Sequence, residues 1–175
     1  MLRDLPYEFF VTPNNIQEFM ARAKGRELAV LTVDIDSFDY FVAQTILEEG
    51  FRPTVLILEY NWNLPNEKAL SFPFKSGKAS PPSNKRAFGA NLLAMSNLVR
   101  RFGYSLVHVS GFCNLFFMPD DLSRLFLSPD LGQEIPTSDD WCREYIRKHC
   151  PRDFRPSWFD EEPLAEEDIT FFEEV

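Results

Sequence analysis

An apolar run, Leu28-Ala-Val-Leu-Thr-Val, ends abruptly in Asp34-Ile35-Asp36-Ser37-Phe38-Asp39. A second run, Thr54-Val-Leu-Ile-Leu, ends in Glu59-Tyr60-Asn61. Carboxylates grouped in this way can accept a proton, bind a hydroxyl or amine, or share a cation. If the first run is a strand, alternation directs Asp34 and Asp36 to the same side. Two adjacent carboxylates coexist only with a cation, a hydrogen-bond donor or a raised pKa. Asp36 is the first candidate for a catalytic base, with Asp34 and Asp39 beside it. Glu59 and Asn61 are candidates for positioning a substrate. A purely structural alternative also fits: Asp36 or Ser37 caps the helix that follows, and Asp39 complements the dipole of its first turn.

An apolar strand followed by Asp-x-Asp has other uses. In metal-dependent glycosyl or phosphoryl transferases such a pair holds a divalent ion. In haloacid-dehalogenase-like phosphatases a Thr or Val is expected two places after the second Asp; here that place is Phe38, which argues against that chemistry. In the leading reading no residue is assigned to a metal.

The elements that must position these residues follow from periodicity. Residues 14–23 read as a helix, with Asn14 as cap, Gln17 completing a capping box, and Ile16, Phe19, Met20 and Ala23 on one face. Residues 28–34 and 54–60 read as strands buried on both faces. The helix between them, 39–49, ends at Gly50. Strand, short helix and strand form a βαβ unit with parallel strands and a right-handed crossover. If the strands are neighbours about 4.8 Å apart, five polar side chains surround one crevice at their carboxyl ends, where α/β sheets bind ligands.

Periodicity then lapses over 61–87, a loop read either as solvated or as a lid over an anionic or polar substrate carrying Lys68, Lys75, Lys78, Lys85 and Arg86. A long helix is expected over 88–101. Strands at 104–109 and 115–118 follow as an antiparallel hairpin. A short helix starts at Asp120 or Asp121, and another covers 137–150 with Trp141, Tyr145, Ile146 and His149 inward. The acidic, aromatic-rich tail from 151 is either a docked arm or disordered. The expected fold class is therefore α/β: a Rossmann-like partial sheet with a parallel βαβ unit, a long helix and an antiparallel terminal hairpin. The expected domains are 1–127, containing the 61–87 loop, and a helical C-terminal extension, 128–175.

Composition narrows the partners. The 175 residues are 45% hydrophobic and 15% aromatic, which is globular. The net charge of −9 disfavours nucleic acid and anionic membrane surfaces. Cys113, Cys142 and Cys150 form no CxxC pair and no zinc spacing, which fits reduced thiols in a cytoplasmic protein. No stretch approaches the ~20 apolar residues of a membrane span, and the first residues show no signal-peptide core. His108, within a strand, and His149, at a helix end, read as structural. Cys113 has no base near it in sequence and is not read as a nucleophile.

The succession LTVDIDSFDYFVAQTIL, TVLILEYN, FGANLLAMSNLVRRFGYSLVHVS and NLFFMPDDL resembles the C-terminal half of the FkbM-type, class I S-adenosylmethionine-dependent methyltransferases. The resemblance spans roughly residues 12–122. It implies methyl transfer on a Rossmann-like sheet to a small-molecule or glycan-type substrate. Asp34, Asp36 and Asp39 match the turn after the family's fourth strand, and Glu59 and Asn61 match the end of its fifth. Ser37 stands where the family has Gly. The family's cofactor-binding half has no counterpart here: there are seven glycines and no GxGxxG-like cluster. The cofactor-binding residues are therefore unassigned. The expectation is a partial domain that binds S-adenosylmethionine weakly or not at all by itself, and that self-associates or takes a partner over its open sheet edge. A non-enzymatic interaction domain is the further alternative.

Overall fold

The computed structural model describes residues 11–74, 88–110, 113–126, 144, 147–148, 164 and 166–175. Lys75, Lys78, Lys85, Arg86, Cys142, Cys150, Trp141, Tyr145, Ile146 and His149 lie outside the described residues. Of the helix expected over 137–150, Glu144, Arg147 and Lys148 are described, and these three are helical.

The fold is mixed α/β. In chain order its elements are α1 (Ile16–Ala21), β1 (Val30–Val33), α2 (Asp39–Glu48), β2 (Val55–Glu59), β3 (Leu70–Ser71), α3 (Leu92–Arg100), β4 (Tyr104–Ser110), β5 (Asn114–Pro119), α4 (Asp120–Ser123), α5 (Glu166–Ile169) and β6 (Glu173–Glu174). The main sheet has the order β1-β2-β5-β4. β1 and β2 are parallel, with Val30 beside Val55 and Val33 beside Leu58. β5 runs antiparallel to both β2 and β4, so the hairpin lies against the second strand of the βαβ unit. The expected hairpin strands are present, with a bulge between Leu106 and His108.

One sheet face carries the core. Leu56, Leu58, Leu115 and Phe117 are fully buried there, with Ile46 and Leu47 of α2 and Leu98 and Val99 of α3. α2 packs on β1, β2, α1 and α3, while α3 packs on β4. The junction from α2 to β2 is set locally. Gly50 has φ +89°, its N–H donates to the Leu47 carbonyl at 3.1 Å, and the Phe51 N–H donates to the Ile46 carbonyl at 3.3 Å. These two bonds form a Schellman stop, which needs the left-handed conformation that glycine adopts without strain. Arg52 then donates to the Leu47 carbonyl at 2.6 Å and stacks on the Phe102 ring at 5.0 Å.

Three expectations change. β1 is an edge strand, so its apolar run is not covered on both faces: Val30 is 56% exposed and Thr32 is also exposed. α1 has no side-chain cap. Asn15 precedes it, and its Oδ1 instead accepts from the Thr12 N–H, while Gln17 donates to Glu49 Oε1. α3 starts four residues later than periodicity suggests, because Asn91 caps it by accepting from the Ala94 N–H at 2.9 Å.

The four residues before α3 have a different task. Ala90 bridges Ser71 in antiparallel fashion, and the Ala90 carbonyl accepts from the Asn61 N–H at 2.7 Å. Residues 60–72 are thereby buried structure and not a solvated loop, while 75–87, with most of the basic residues of the expected loop, lie outside the described residues. Tyr60, Asn61, Leu64, Ser71 and Phe72 are all at most 1% exposed. This strap carries β3, which pairs with β6 at the chain's end. Leu164 and Phe172 join the same core, so the described part of the tail is docked. Lys68 pairs with Glu174 at 3.2 Å on the surface. Among the described residues, no helix is long and apolar enough to cross a membrane.

Candidate functional site

The carboxyl ends of β1 and β2 are adjacent because the two strands pair in parallel register. The chain leaves β1 through a turn at 34–38 and enters α2 at Asp39. Asp36 sits at the crest of this turn with φ +57°, a left-handed conformation unusual for a residue other than glycine. Asp and Asn tolerate it better than other side chains do. The strain thus lies at Asp36 and not at Ser37.

Two buried carboxylates hold the turn from beneath. Asp39, with no exposed surface, accepts from the Ile35 N–H through Oδ1 at 2.8 Å and from the Ser37 N–H through Oδ2 at 2.9 Å. Glu59, 5% exposed, accepts from the Asp36 N–H through Oε2 at 3.2 Å. Neither Asp36 nor Ser37 caps α2. Phe38 occupies the cap position without a side-chain bond, and the Ser37 hydroxyl donates to the Ile35 carbonyl. Gly89 lies close by: a Cβ placed there would sit 3.8 Å from Asp39 Oδ2, and its φ is +55°.

The five residues singled out from sequence therefore separate into three roles. Asp34 and Asp36 are exposed at the mouth. Asp39 and Glu59 lie below them as backbone acceptors. Asn61 is turned away into the strap, donating to the Phe88 carbonyl at 2.9 Å and accepting from the N–H and side-chain amide of Asn63. Its side chain serves the packing of 60–72 rather than the crevice.

The four carboxyls influence one another. Burial, with Asp39, Asp34 and Asp36 nearby, raises Glu59 to about 8. Burial raises Asp39 to about 6, against the lowering effect of the backbone N–H groups it accepts from. Partial desolvation and then Asp36 raise Asp34 as well. Glu59 therefore binds a proton more tightly than an ordinary carboxyl does, beneath the exposed side chains of Asp34 and Asp36.

Two further residues reach this corner from a distant part of the chain: Cys113, read from sequence only as a non-nucleophile, and Asn114, not singled out there. Cys113 precedes β5, and its carbonyl accepts from the Tyr60 N–H at 2.6 Å. Burial and the same carboxylates push its thiol to about 12, so it stays protonated and is a poor nucleophile. Asn114 is the register partner of Glu59 on β5. Its Nδ2 donates to Cys113 Sγ at 3.4 Å, and its Oδ1 is buried with no hydrogen-bond partner. Only an antiparallel β2–β5 pairing, unreadable from local pattern, brings it here. His108 is exposed on β4, edge-on to Phe116 at 5.6 Å, away from this corner.

Among the described residues, no three or more His, Cys, Asp or Glu side chains are grouped as metal ligands. No family model, curated protein or solved structure matches the chain.

Proposed function

We propose that the chain is a Rossmann-like, methyltransferase-type α/β domain whose acidic corner is the substrate side of a methyl-transfer site. The substrate class is a small polar or glycan-type molecule bearing a hydroxyl or amine. The observation that carries this reading is the corner itself: exposed Asp34 and Asp36 at the carboxyl ends of a parallel pair, above a buried Glu59. Ligands of open α/β sheets bind at that edge. The element order adds support, since an acidic turn, a helix, an apolar strand ending in Glu, a long helix and a terminal hairpin follow one another as the resemblance implies.

Asp36 is the proton acceptor in this reading. Its carboxylate stands on a turn fixed by two buried acceptors, so its position costs little to organise when substrate arrives. Asp34 hydrogen-bonds the same substrate. Glu59 touches no substrate; it holds the Asp36 amide and keeps the turn in place.

S-adenosylmethionine does not fit the described residues. Gly25, Gly50 and Gly103 follow α1, α2 and α3 and precede β1, β2 and β4. They thus lie at the opposite edge of the sheet from the acidic corner. Gly89 is the remaining described glycine of positive φ, and it is single. No glycine-rich turn adjoins the corner among the described residues.

The test uses the full chain and an amino sugar such as glucosamine as probe. Amide shifts in NMR spectra should concentrate at 34–37 and 59–61, and should vanish in the Asp34→Asn/Asp36→Asn variant. Calorimetry with S-adenosylmethionine should show no saturable heat. Shifts scattered over the surface, or unchanged in the double variant, would sink the substrate assignment; saturable heat would sink the statement that the cofactor does not fit.

A further inference from the structure

Glu59 and Asn114 stand opposite each other across β2 and β5. The Tyr60 N–H donates to the Cys113 carbonyl at 2.6 Å, so Tyr60 and Cys113 form a hydrogen-bonded pair of this ladder. Such pairs alternate with non-hydrogen-bonded ones, which makes Glu59 and Asn114, one step along, a pair of the second kind. There the opposed Cα atoms lie about 4.5 Å apart, and the two side chains leave the same sheet face at their closest spacing.

Each of the two side chains has one oxygen that its other bonds leave over. Glu59 Oε2 accepts from the Asp36 N–H at 3.2 Å, while its Oε1 accepts from no described group. Asn114 Nδ2 donates to Cys113 Sγ at 3.4 Å, while its Oδ1 is buried with no partner. Ser110 is the register partner of Asn114 on β4, but its hydroxyl does not bond Oδ1 either. A buried acceptor left without a donor is destabilising, and folded chains rarely keep one.

The groups around Glu59 favour a proton on it. Asp34 and Asp36 face it from the turn, Asp39 from α2 and Cys113 from the start of β5. Among the described residues no Lys, Arg or His forms an ion pair with it. Burial, with the three carboxylates, raises it to about 8. A carboxyl that keeps its proton is a hydrogen-bond donor, and Asn114 Oδ1 is an acceptor that lacks one.

We propose that Glu59 and Asn114 are a proton-holding pair: Oε1 of the Glu59 acid carries the proton and donates it in a hydrogen bond to Asn114 Oδ1. Asn114 is thereby a positioning residue of the acidic corner. It fixes the Glu59 carboxyl and, through Oε2, the Asp36 amide at the crest of the turn. It also leaves the corner with one negative charge fewer. The pair concerns how the corner is built, whichever substrate the corner takes. Its test contains no substrate, so the pair and the substrate assignment fail separately.

Carbon-13 NMR of the labelled full chain follows the Glu59 carboxyl through a pH titration, with Glu59→Gln identifying the signal. In the parent chain the Asn114 carboxamide carbon should shift with the same midpoint as Glu59. Asn114→Leu keeps the site dry and removes the acceptor. The proton affinity of Glu59 should then fall roughly tenfold, because a hydrogen bond to the neutral form is lost. Asn114→Asp keeps an acceptor oxygen and adds a carboxylate, so the affinity should rise above the parent's. Circular dichroism verifies that each variant is folded. An unchanged or higher affinity in Asn114→Leu would overturn the proposal, since an amide that donates to the carboxylate through Nδ2 would be lost with that sign. A lower affinity in Asn114→Asp would overturn it too. So would an Asn114 carbon indifferent to the Glu59 titration in the parent, a measurement that stands even where a variant does not fold.

Discussion

The chain leaves its two parallel strands in contrasting ways. After β1, buried carboxylates hold the turn: Asp39 and Glu59 accept backbone N–H groups and answer desolvation with raised proton affinity. After β2, buried amides hold the strap: Asn61 and Asn91 bond backbone groups of 60–72 and the segment before α3. Both regions are polar and buried, and both satisfy backbone that would otherwise be orphaned. Asparagine does this without an ionisation, so the strap is indifferent to pH. A carboxyl does it with a protonation equilibrium attached, so the turn is sensitive to pH and can trade protons with a ligand. The difference separates a structural polar network from one able to do chemistry.

The largest effect bearing on this contrast is expected at Asn91. Its side chain accepts from the Leu70 and Ala94 N–H groups and donates to the Pro65 and Lys68 carbonyls. Asn91→Ala removes a helix cap and strands several buried groups, so a loss of about 3 kcal/mol or more is expected in urea unfolding. That loss should be the same at pH 5 and pH 8. A loss that varied with pH would break the distinction between the two regions.

Glu59→Gln should act differently. The folded carboxyl, at about 8, binds its proton more tightly than the ordinary value of 4.5. Its stabilising contribution is therefore fully present below about pH 4.5 and is lost as pH rises through 8. Asp39 follows the same sign, between 3.8 and about 6. Tenfold in proton affinity is about 1.4 kcal/mol, so the decline from mildly acidic to mildly basic pH should reach roughly 3 kcal/mol. Thermal melts across this range should show the decline, and Glu59→Gln should flatten its upper part while keeping the acceptor for the Asp36 amide. An equally steep profile in the variant would place the titration elsewhere.

The smallest expected effect is at Asp36. Glycine adopts φ +57° without the steric penalty of a Cβ, and Asp36→Gly also removes one carboxylate from the cluster. The variant should be as stable as the parent, or up to about 1 kcal/mol more stable, and should lose the amino-sugar response. A clear destabilisation would mean that the Asp36 side chain supports the turn itself.

Much of the frame was legible in residue patterns. The apolar runs ending at Asp34 and Glu59, the helix between them and its stop at Gly50 all follow from local periodicity and backbone chemistry. So does the hairpin at 104–119. The error over 60–72 has an equally physical origin. Its asparagines, proline and serine have the composition of a solvated loop, and only long-range partners, Phe88, Ala90 and Asn91, turn them into buried structure. Likewise, the apolar run from Leu28 to Val33 cannot distinguish a central strand from an edge, since both read as a short stretch of β-formers.

Local sequence was enough to end β1 and β2 in acid residues and to make the two strands parallel, because a βαβ connection runs them the same way; their being neighbours came from the sheet pairing. Packing settled what each acid does. It buried Asp39 and Glu59 against backbone amides, left Asp34 and Asp36 in the open, withdrew Asn61 into the strap, and brought Cys113 and Asn114 beside them. Charge pattern is a property of the chain, but desolvation depends on what packs around each carboxyl, and part of that packing, Cys113 and Asn114 beside Glu59, comes from more than fifty positions away.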